Sequence, residues 1–517
     1  MLPEALALHL PKISREVIFL GSAALFTTLS GIFRPVSVAT AVDFRFNRSS
    51  DLWEELYASL ATTINVFKNR HCSTVLAICR PKPVFSWTFR TSIFSWRECL
   101  MTPDDGTLVL DYFQYRGTPK TMWSFLTSLF FTPGSGLGIM RTHKADTKVP
   151  VVLVVHGLMG HSEESYVQQT CCEICTQDSR HPIVVAMNYR GAFNHSLNGT
   201  GGYSFYDTKD LAFLITWLRE KHKGPLFVVG FSMGAAKLAN YLGRTEEASN
   251  VDGACCICCP WDFTVRNGAV HRPDFIEKVY HFVLAGGLKA WILAHYFELR
   301  SNQALMESAP IFKCTASALW WWLFSFNVKE FDENFTIHWV GYKSVEEYYE
   351  AASPTRLLNK IKTPLLIINS RNDPLIPSYT NPTDEDVHDN PNLFVIESTY
   401  GGHIGFWTPF NGCFATKCFI KFSNLGQISK STRKGREVRR KESIEIVKKL
   451  QSTSSTCLND YDIIKRIGED ESDGENMAYV LSSSGEEEED EVEGEREEVL
   501  ASPKHDELKQ NFLEGFA

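Results

Sequence analysis

The chain has 517 residues, of which 44% are hydrophobic and 22% are charged, a composition that is typical of a globular protein and excludes a collagen or a wholly disordered chain. Its formal net charge of -9 arises near the C-terminus: residues 430–450 hold nine Lys or Arg and three Glu, whereas residues 451–517 hold twenty Asp or Glu and five Lys or Arg. Residues 1–429 therefore carry no net charge, and we expect no nucleic-acid partner, because phosphate binding requires a basic surplus.

Near the N-terminus, after a segment of residues 1–16, residues 17–33 form an uncharged apolar run, VIFLGSAALFTTLSGIF. The run is slightly shorter than the roughly 20 residues of a membrane-spanning helix. A cleaved signal peptide is disfavoured because the preceding segment is long and contains two Glu. We therefore predict a membrane anchor and a protein associated with the endoplasmic reticulum or another endomembrane, in an orientation that the flanking charges do not decide. An interfacial helix and a core helix are the alternatives.

Residues 34–94 are interpreted as a linker or N-terminal extension. Residues 95–425 are predicted to form one domain, in which strand and helix patterns alternate. Residues 101–115 contain an Asp-Gly turn before an alternating strand, a pattern that predicts a β-hairpin. Short apolar runs then predict parallel strands that are buried on both faces. These runs are 149–157, 183–191, 226–230, 251–258, 363–370 and 392–398. Segments 207–222 and 233–243 have the apolar spacing of crossover helices, so the fold class is α/β.

Two regions depart from this alternation. Residues of about 262–358 are rich in bulky apolar side chains and predict an inserted helical cap, in which Trp320–Trp322 pack into the cap or line a lipophilic pocket. Residues 426–517 are too charged and too poor in apolar residues to form a core, which predicts a disordered tail. The partners of this tail are unknown.

The 14 Cys are not spaced as a small disulfide framework. Cys255, Cys256, Cys258 and Cys259 resemble a metal cluster, but they lie in a predicted buried strand, where neighbouring side chains point to opposite faces. We therefore interpret them as core residues and expect no metal.

Gly230-Phe231-Ser232-Met233-Gly234 is a G-x-S-x-G pentapeptide with an apolar strand before it and a small-residue helix after it. This is the context of a nucleophile elbow, a tight turn that exposes a serine at the top of a sheet. Gly230 and Gly234 lack the side chains that would collide with the strand and the helix at such a turn. Ser232 is therefore the candidate nucleophile.

A serine hydroxyl needs a base, and the base needs an acid that holds it in the correct tautomer. Asp373 and His403 follow predicted strands 363–370 and 392–398, and the carboxyl ends of parallel strands form the ligand-binding edge of a sheet. The chain order Ser232, Asp373, His403 thus predicts a catalytic triad. The backbone N–H groups of Met233 and Leu158 are the candidate oxyanion donors, and His156 is expected to order the loop that contains Leu158.

Several longer motifs occur in a characteristic order over residues 95–422: HGLMGHSEESY, MNYRG, GFSMGA, CPWDF, FDENFT, SVEEYYEAASP and RNDPLIP. In this the chain resembles the YheT-like branch of the α/β-hydrolase superfamily, which includes membrane-anchored lipases and esterases. The resemblance implies the α/β-hydrolase fold and the same triad. The acid loop of that branch often reads Asp-Asp-Pro, whereas this chain has Asn372-Asp373-Pro374.

The resemblance and the triad predict a serine carboxylic-ester hydrolase that acts on acylglycerols, phospholipids or small esters through an acyl-enzyme on Ser232. Such chemistry requires no metal or organic cofactor. Two alternatives remain open at this point. One is an acyltransferase that uses the same triad, and the other is a non-catalytic interaction protein with a hydrolase fold.

Overall fold

The computed structural model describes residues 36–37, 42–47, 51–60, 63–64, 70–79, 92–115, 117, 149–192, 195–197, 204–264, 275–313, 327–408 and 412–425. All of them belong to one compact unit. The predicted anchor at 17–33, the run Trp320–Trp322 and the tail 426–517 lie outside these residues. Among the described residues, no helix combines the length and the apolar character that crossing a membrane requires.

The strands of the described residues are β1 (Val36–Ser37), β2 (Val42–Phe46), β3 (Thr63–Ile64), β4 (Ile93–Met101), β5 (Thr107–Tyr115), β6 (Val151–Val155), β7 (Ile183–Asn188), β8 (Leu226–Phe231), β9 (Gly253–Ile257), β10 (Leu365–Ser370), β11 (Leu393–Ser398), β12 (Trp407–Thr408) and β13 (Gly412–Cys413). Nine of them form a central sheet in the order β2-β11-β10-β9-β8-β6-β7-β5-β4. Strands β6 to β11 pair in parallel, and β2, β4 and β5 are antiparallel. The predicted hairpin corresponds to β4 and β5 around the Asp-Gly turn. Strands β1 with β3 and β12 with β13 form two separate two-stranded ribbons.

The six parallel strands are buried at every residue. In β6, for example, Val151, Leu153 and Val155 belong to one apolar core, whereas Val152 and Val154 belong to another. This alternation follows from the opposite directions of neighbouring side chains in a strand, and it requires a layer of helices on each face. The predicted α/β-hydrolase architecture, a mostly parallel sheet between helices, is confirmed.

The helices are α1 (Asp51–Leu60), α2 (Arg70–Cys79), α3 (Ser165–Gln177), α4 (Lys209–Lys221), α5 (Met233–Thr245), α6 (Phe275–Ala294), α7 (Tyr296–Arg300), α8 (Gln303–Ser308), α9 (Val328–Phe331), α10 (Ile337–Val340), α11 (Val345–Ala352), α12 (Asp384–Asp389) and α13 (Phe414–Leu425). Helices α1, α3 and α13 pack on one face of the sheet, and α4 and α5 pack on the other. The predicted crossover helices correspond to α4 and α5. A π-helical turn, Asp332–Thr336, joins α9 to α10.

Helices α6 to α11 form the described part of the predicted cap, between β9 and β10. The cap is attached to the loop after β7, because Trp291 donates from Nε1 to the carbonyl oxygen of Gly191 at 2.9 Å and His295 Nε2 lies 2.9 Å from the same oxygen. Helix α6 also approaches the loop after β6, where Met159 lies next to Gly287. The cap therefore lies over the carboxyl ends of the parallel strands.

The described part of residues 34–94 is more than the linker or extension that we expected. Strand β2 adds to the edge of the sheet by pairing with β11, and helix α1 packs behind it. Trp53 of α1 is buried, stacks on Phe422 with ring centroids 5.6 Å apart and donates to the carbonyl oxygen of Pro391 at 2.8 Å. Strand β2 escaped prediction because it is short and includes Asp43 and Arg45.

The ten cysteines whose side chains the structure describes are free thiols, and of these ten only Cys99 is exposed. Cys255 and Cys258 pack in the core below one face of the sheet, whereas Cys256 and Cys259 pack in the core on the other face. The four side chains therefore do not converge on one point, as the strand interpretation predicted.

Candidate active site

Ser232 lies at the sharp turn between β8 and α5, with φ 51° and ψ -116°. An added Cβ at Gly230 would lie 2.6 Å from the carbonyl oxygen of Gly234, and one at Gly234 would lie 2.5 Å from the carbonyl oxygen of Val155. Only glycine therefore fits at either position. The N–H of Ser232 donates to the carbonyl oxygen of Ile257 at 2.9 Å, which holds the left-handed conformation of this residue against the neighbouring strand.

Asp373 follows β10 by three residues, and its carboxylate is fixed by its own loop. Oδ1 accepts the backbone N–H groups of Leu375 at 2.7 Å and Ile376 at 3.0 Å. Oδ2 lies 2.8 Å from Nδ1 of His403. Oδ1 of Asp373 therefore stabilises the turn of its own loop, whereas Oδ2 is available to His403.

His403 joins the acid to the serine. Its Nε2 lies 3.0 Å from the Oγ of Ser232, and the Asp373 and His403 residues are only 7% and 6% exposed. The structure thus brings together all three residues of the predicted triad in one hydrogen-bonded chain. With Nδ1–H donating to Asp373, Nε2 is left with a lone pair directed at the serine hydroxyl.

Three supports of the loop that contains His403 were missed at the level of the sequence. The hydroxyl of Thr74 in α2 accepts the N–H of His403 at 2.8 Å and donates to the carbonyl oxygen of Arg70 at 2.8 Å. Thr74 lies in residues 34–94, which we interpreted as a linker or N-terminal extension, and no motif of that segment indicated a contact with His403.

Asn372 is the second support, and it lies beside the acid in the RNDPLIP motif. Its Oδ1 accepts the N–H of Gly402 at 2.9 Å and the hydroxyl of Ser370 at 2.7 Å. Both contacts need an oxygen acceptor, which an Asp at this position would also provide. The departure from Asp-Asp-Pro therefore keeps the acceptor and removes a negative charge next to Asp373.

Cys258 lies beneath the triad and is the third residue that the sequence did not assign to the site. Its Sγ accepts the N–H of Ile404 at 3.2 Å, and potential ligand atoms of Cys258, Asp373 and His403 lie within 4.8 Å of one another. Burial, and then the negative charge of Asp373, raise the pKa of the Cys258 thiol, so it stays protonated. A metal would need the thiolate and would displace the Asp373–His403 hydrogen bond. We therefore interpret Cys258 as a support of the histidine loop.

The two predicted oxyanion donors lie on either side of the elbow. Met233 is the first residue of α5, so its N–H has no acceptor within the helix. The N–H of Gly157 donates to the hydroxyl of Tyr166 at 2.9 Å, whereas that of Leu158 has no hydrogen bond to any of the described residues. Leu158 and Met233 line a common small cavity, of about 10 Å³, with residues of the cap.

His156 orders the loop that contains Leu158. It is buried, its Nδ1 lies 2.8 Å from the carbonyl oxygen of Gly157, and the N–H of Tyr189 donates to its Nε2 at 3.4 Å. Burial lowers the pKa of His156 to about 3, so the ring is neutral at physiological pH. Both ring nitrogens of His156 have backbone partners, whereas Nε2 of His403 faces the Oγ of Ser232.

A family model described as alpha/beta hydrolase fold matches residues 150–410, half of the chain. The chain belongs to the α/β-hydrolase fold family. The matched region of this α/β-hydrolase contains Ser232, Asp373 and His403 together with the described part of the cap.

Curated relatives are similar over much of the hydrolase domain. The medium-chain fatty acid ethyl ester synthase/esterase 2 of Saccharomyces cerevisiae is 28% identical over 54% of this chain and 62% of its own. The monoacylglycerol lipase of the same yeast is 27% identical over 52% of this chain and 57% of its own, and phospholipase ABHD3 of Bos taurus is 26% identical over 78% and 92%. The chain thus spans about three fifths of the length of the two yeast relatives. Among solved structures, the esterase Pf2001 of Pyrococcus furiosus covers 66% of this chain and 98% of its own at 16% identity and a TM-score of 0.37.

Proposed function

We propose that this α/β-hydrolase is a serine hydrolase of carboxylic esters that acts on acyl lipids. The observation that carries the proposal is the hydrogen-bonded chain from Ser232 through His403 to Asp373 at the carboxyl edge of the sheet. The relatives named as an esterase, a lipase and a phospholipase support ester hydrolysis as the reaction. We place the chain in the YheT-like branch of the family on its sequence motifs.

In the proposed reaction, Nε2 of His403 takes the proton of the Ser232 hydroxyl as Oγ attacks the acyl carbonyl carbon. Asp373 orients the ring through Nδ1 and stabilises the imidazolium that forms. The negative charge on the carbonyl oxygen is stabilised by the N–H groups of Leu158 and Met233, the latter at the positive end of α5.

The tetrahedral intermediate then collapses. The alcohol leaves with the proton from Nε2 of His403, and the acyl group stays on Oγ of Ser232. Water enters, gives one proton to His403 and attacks the acyl-enzyme, after which His403 returns the proton to Ser232 and the carboxylic acid is released. Each proton that is taken up is returned, so the cycle needs no group beyond the triad, the two amides and water.

The direct test is fluorophosphonate labelling of the full-length protein, because this reagent reacts only with an activated serine. We expect covalent modification of Ser232, located by mass spectrometry, and none in Ser232→Ala. Ser249→Ala is the matched control, since Ser249 is a fully buried serine outside the site. A folded wild-type protein that does not label would refute the proposal.

Ester hydrolysis is then measured on monoacylglycerols, phospholipids and ethyl esters of one acyl chain length. Adding an alcohol to the same assay separates hydrolysis from acyl transfer, because transfer yields a new ester in place of the free acid. We expect the free acid as the main product.

We also propose that residues 17–33 attach the protein to an endomembrane such as that of the endoplasmic reticulum. The support is the uncharged apolar sequence of this segment. Alkaline carbonate extraction of membranes from cells that express the full chain is the test. The full chain is expected in the pellet and a chain that lacks residues 1–33 in the supernatant, and equal extraction of the two contradicts the proposal.

A further inference from the structure

The cap places a carboxyl group at the small, mostly apolar cavity next to the candidate oxyanion donors. Asp332 lies in the π-helical turn and is 3% exposed. It lines the same cavity as Leu158 and Met233. The other lining residues are mostly apolar, but they include the hydroxyl-bearing Ser204, Thr336 and Tyr348. Turns of this kind are rare and are often found at functional sites.

The only described groups that stabilise this carboxylate are hydroxyls. The phenol of Tyr349 donates to Oδ2 of Asp332 at 2.8 Å, and the hydroxyl of Thr336 is a second hydrogen-bonding group beside it. No Lys, Arg or His of the described residues pairs with Asp332. Burial raises the pKa of Asp332 to about 7, so the neutral and the ionised carboxyl coexist at physiological pH.

An acid without a cationic partner in an apolar cavity is costly for folding, because the charged form loses its hydration. Structural stability therefore does not explain why Asp332 is an acid. A few polar groups in a mostly apolar pocket are, in contrast, the usual means of orienting a ligand.

We propose that Asp332 is a specificity residue that forms a hydrogen bond with a free hydroxyl group of the substrate. This inference rests on the proposed ester hydrolysis at Ser232. A hydroxyl can both donate to the ionised carboxyl and accept from the neutral one, whereas a quaternary ammonium group requires the ionised form that this cavity disfavours. The preferred substrates are therefore acyl esters that keep a free hydroxyl, either on the alcohol, as in partial acylglycerols, or on the acyl chain.

The test compares three substrates of one acyl chain length: the glycerol monoester, the ethyl ester, and the ethyl ester of the hydroxylated acid. In Asp332→Leu, kcat/KM for a hydroxyl-bearing substrate is expected to fall about 10- to 100-fold, the range for losing a hydrogen bond to a charged group. For the plain ethyl ester it should change less than about threefold. Asp332→Asn keeps hydrogen-bonding atoms in place and should retain most of the preference. The hydroxyl-bearing ester whose kcat/KM falls shows whether the bound hydroxyl lies on the alcohol or on the acyl chain.

Glu333→Gln is the matched control, because Glu333 is the neighbouring acid and its side chain is 41% exposed. It should leave all three rates unchanged. The fluorophosphonate labelling rate of Ser232 in each variant shows that the fold and the nucleophile are intact.

Four results overturn the inference. Equal losses on all three esters in a labelling-competent Asp332→Leu or Asp332→Asn variant indicate a structural role, and unchanged rates on all of them indicate no role. A loss confined to an added choline ester indicates recognition of a cation instead. Absence of labelling in the wild-type protein refutes the proposed function itself, and the inference with it, and is distinguishable from the other results.

Discussion

Replacing Thr74 by Val tests whether helix α2, far from Ser232, Asp373 and His403 in sequence, positions His403 for the proposed reaction. Thr74 is fully buried, and its hydroxyl is the acceptor of the backbone N–H of His403 at 2.8 Å. Valine has nearly the same shape but no acceptor, so a buried N–H is left without a partner. Such a group costs about 1–3 kcal/mol.

The loop can reduce this cost by moving the N–H of His403 towards another acceptor, which displaces the imidazole from Ser232. If about 1.4 kcal/mol of the loss reaches the transition state, kcat falls about tenfold. We expect KM to change little, because Thr74 contacts the histidine loop and not the cavity. Thr74→Ser keeps the hydroxyl and should keep kcat.

The assay is hydrolysis of a chromogenic ester, with thermal unfolding measured in parallel. Thr363→Val is the control, since Thr363 is also buried and pairs with the Ser249 hydroxyl at 2.6 Å at the opposite end of the sheet. It should lower the melting temperature without changing kcat. Wild-type kcat in Thr74→Val, or an equal fall in Thr363→Val, would refute the reasoning.

Three further predictions concern the elbow, the loop before it and the thiol beneath it. Gly234→Ala places a Cβ 2.6 Å from the carbonyl oxygen of His156 and should abolish fluorophosphonate labelling of Ser232. Gly286→Ala is the control, because its Cβ meets nothing within 4 Å, and it should label normally. Labelling of both variants contradicts the prediction. The pKa of His156 is lowered to about 3 in the fold, so the unfolded chain binds more protons between that pH and about 6.5. The stability advantage of the wild type over His156→Asn, measured by thermal unfolding, should therefore shrink from pH 7.5 to pH 5, and a constant difference contradicts the assignment. Iodoacetamide at pH 8 should modify the exposed Cys99 in the native protein but Cys258 only after unfolding, because burial raises the pKa of the Cys258 thiol; native modification of Cys258 contradicts that account.

The departure at Asn372 illustrates why one residue of a motif can change without loss of the site. The histidine loop needs an oxygen that accepts from Gly402 and Ser370, and the amide of Asn372 provides it. An acid at this position would add a second negative charge near Asp373. The motif therefore encodes an acceptor, and the sequence pattern alone does not distinguish it from a charged group.

The sequence by itself determined the features that depend on residues close together in the chain. The apolar runs predicted the six parallel strands because burial on both faces selects continuous apolar residues, and G-x-S-x-G predicted the turn at Ser232 because only glycine fits beside it. The order of Ser232, Asp373 and His403 followed from the same strands, each of which ends at one edge of the sheet.

Only the tertiary structure decided the contacts between distant segments. Thr74 and His403 are 329 positions apart. The short strand β2 has no pattern that reveals its place at the sheet edge, and helix α2 has none that reveals its place beside the loop of His403. Asp332 reads as one acid in a charged turn until the cap buries it beside Leu158 and Met233. Periodicity and turn chemistry depend on neighbours in the chain, whereas the packing of the cap and of α2 depends on surfaces that exist only once the sheet has formed.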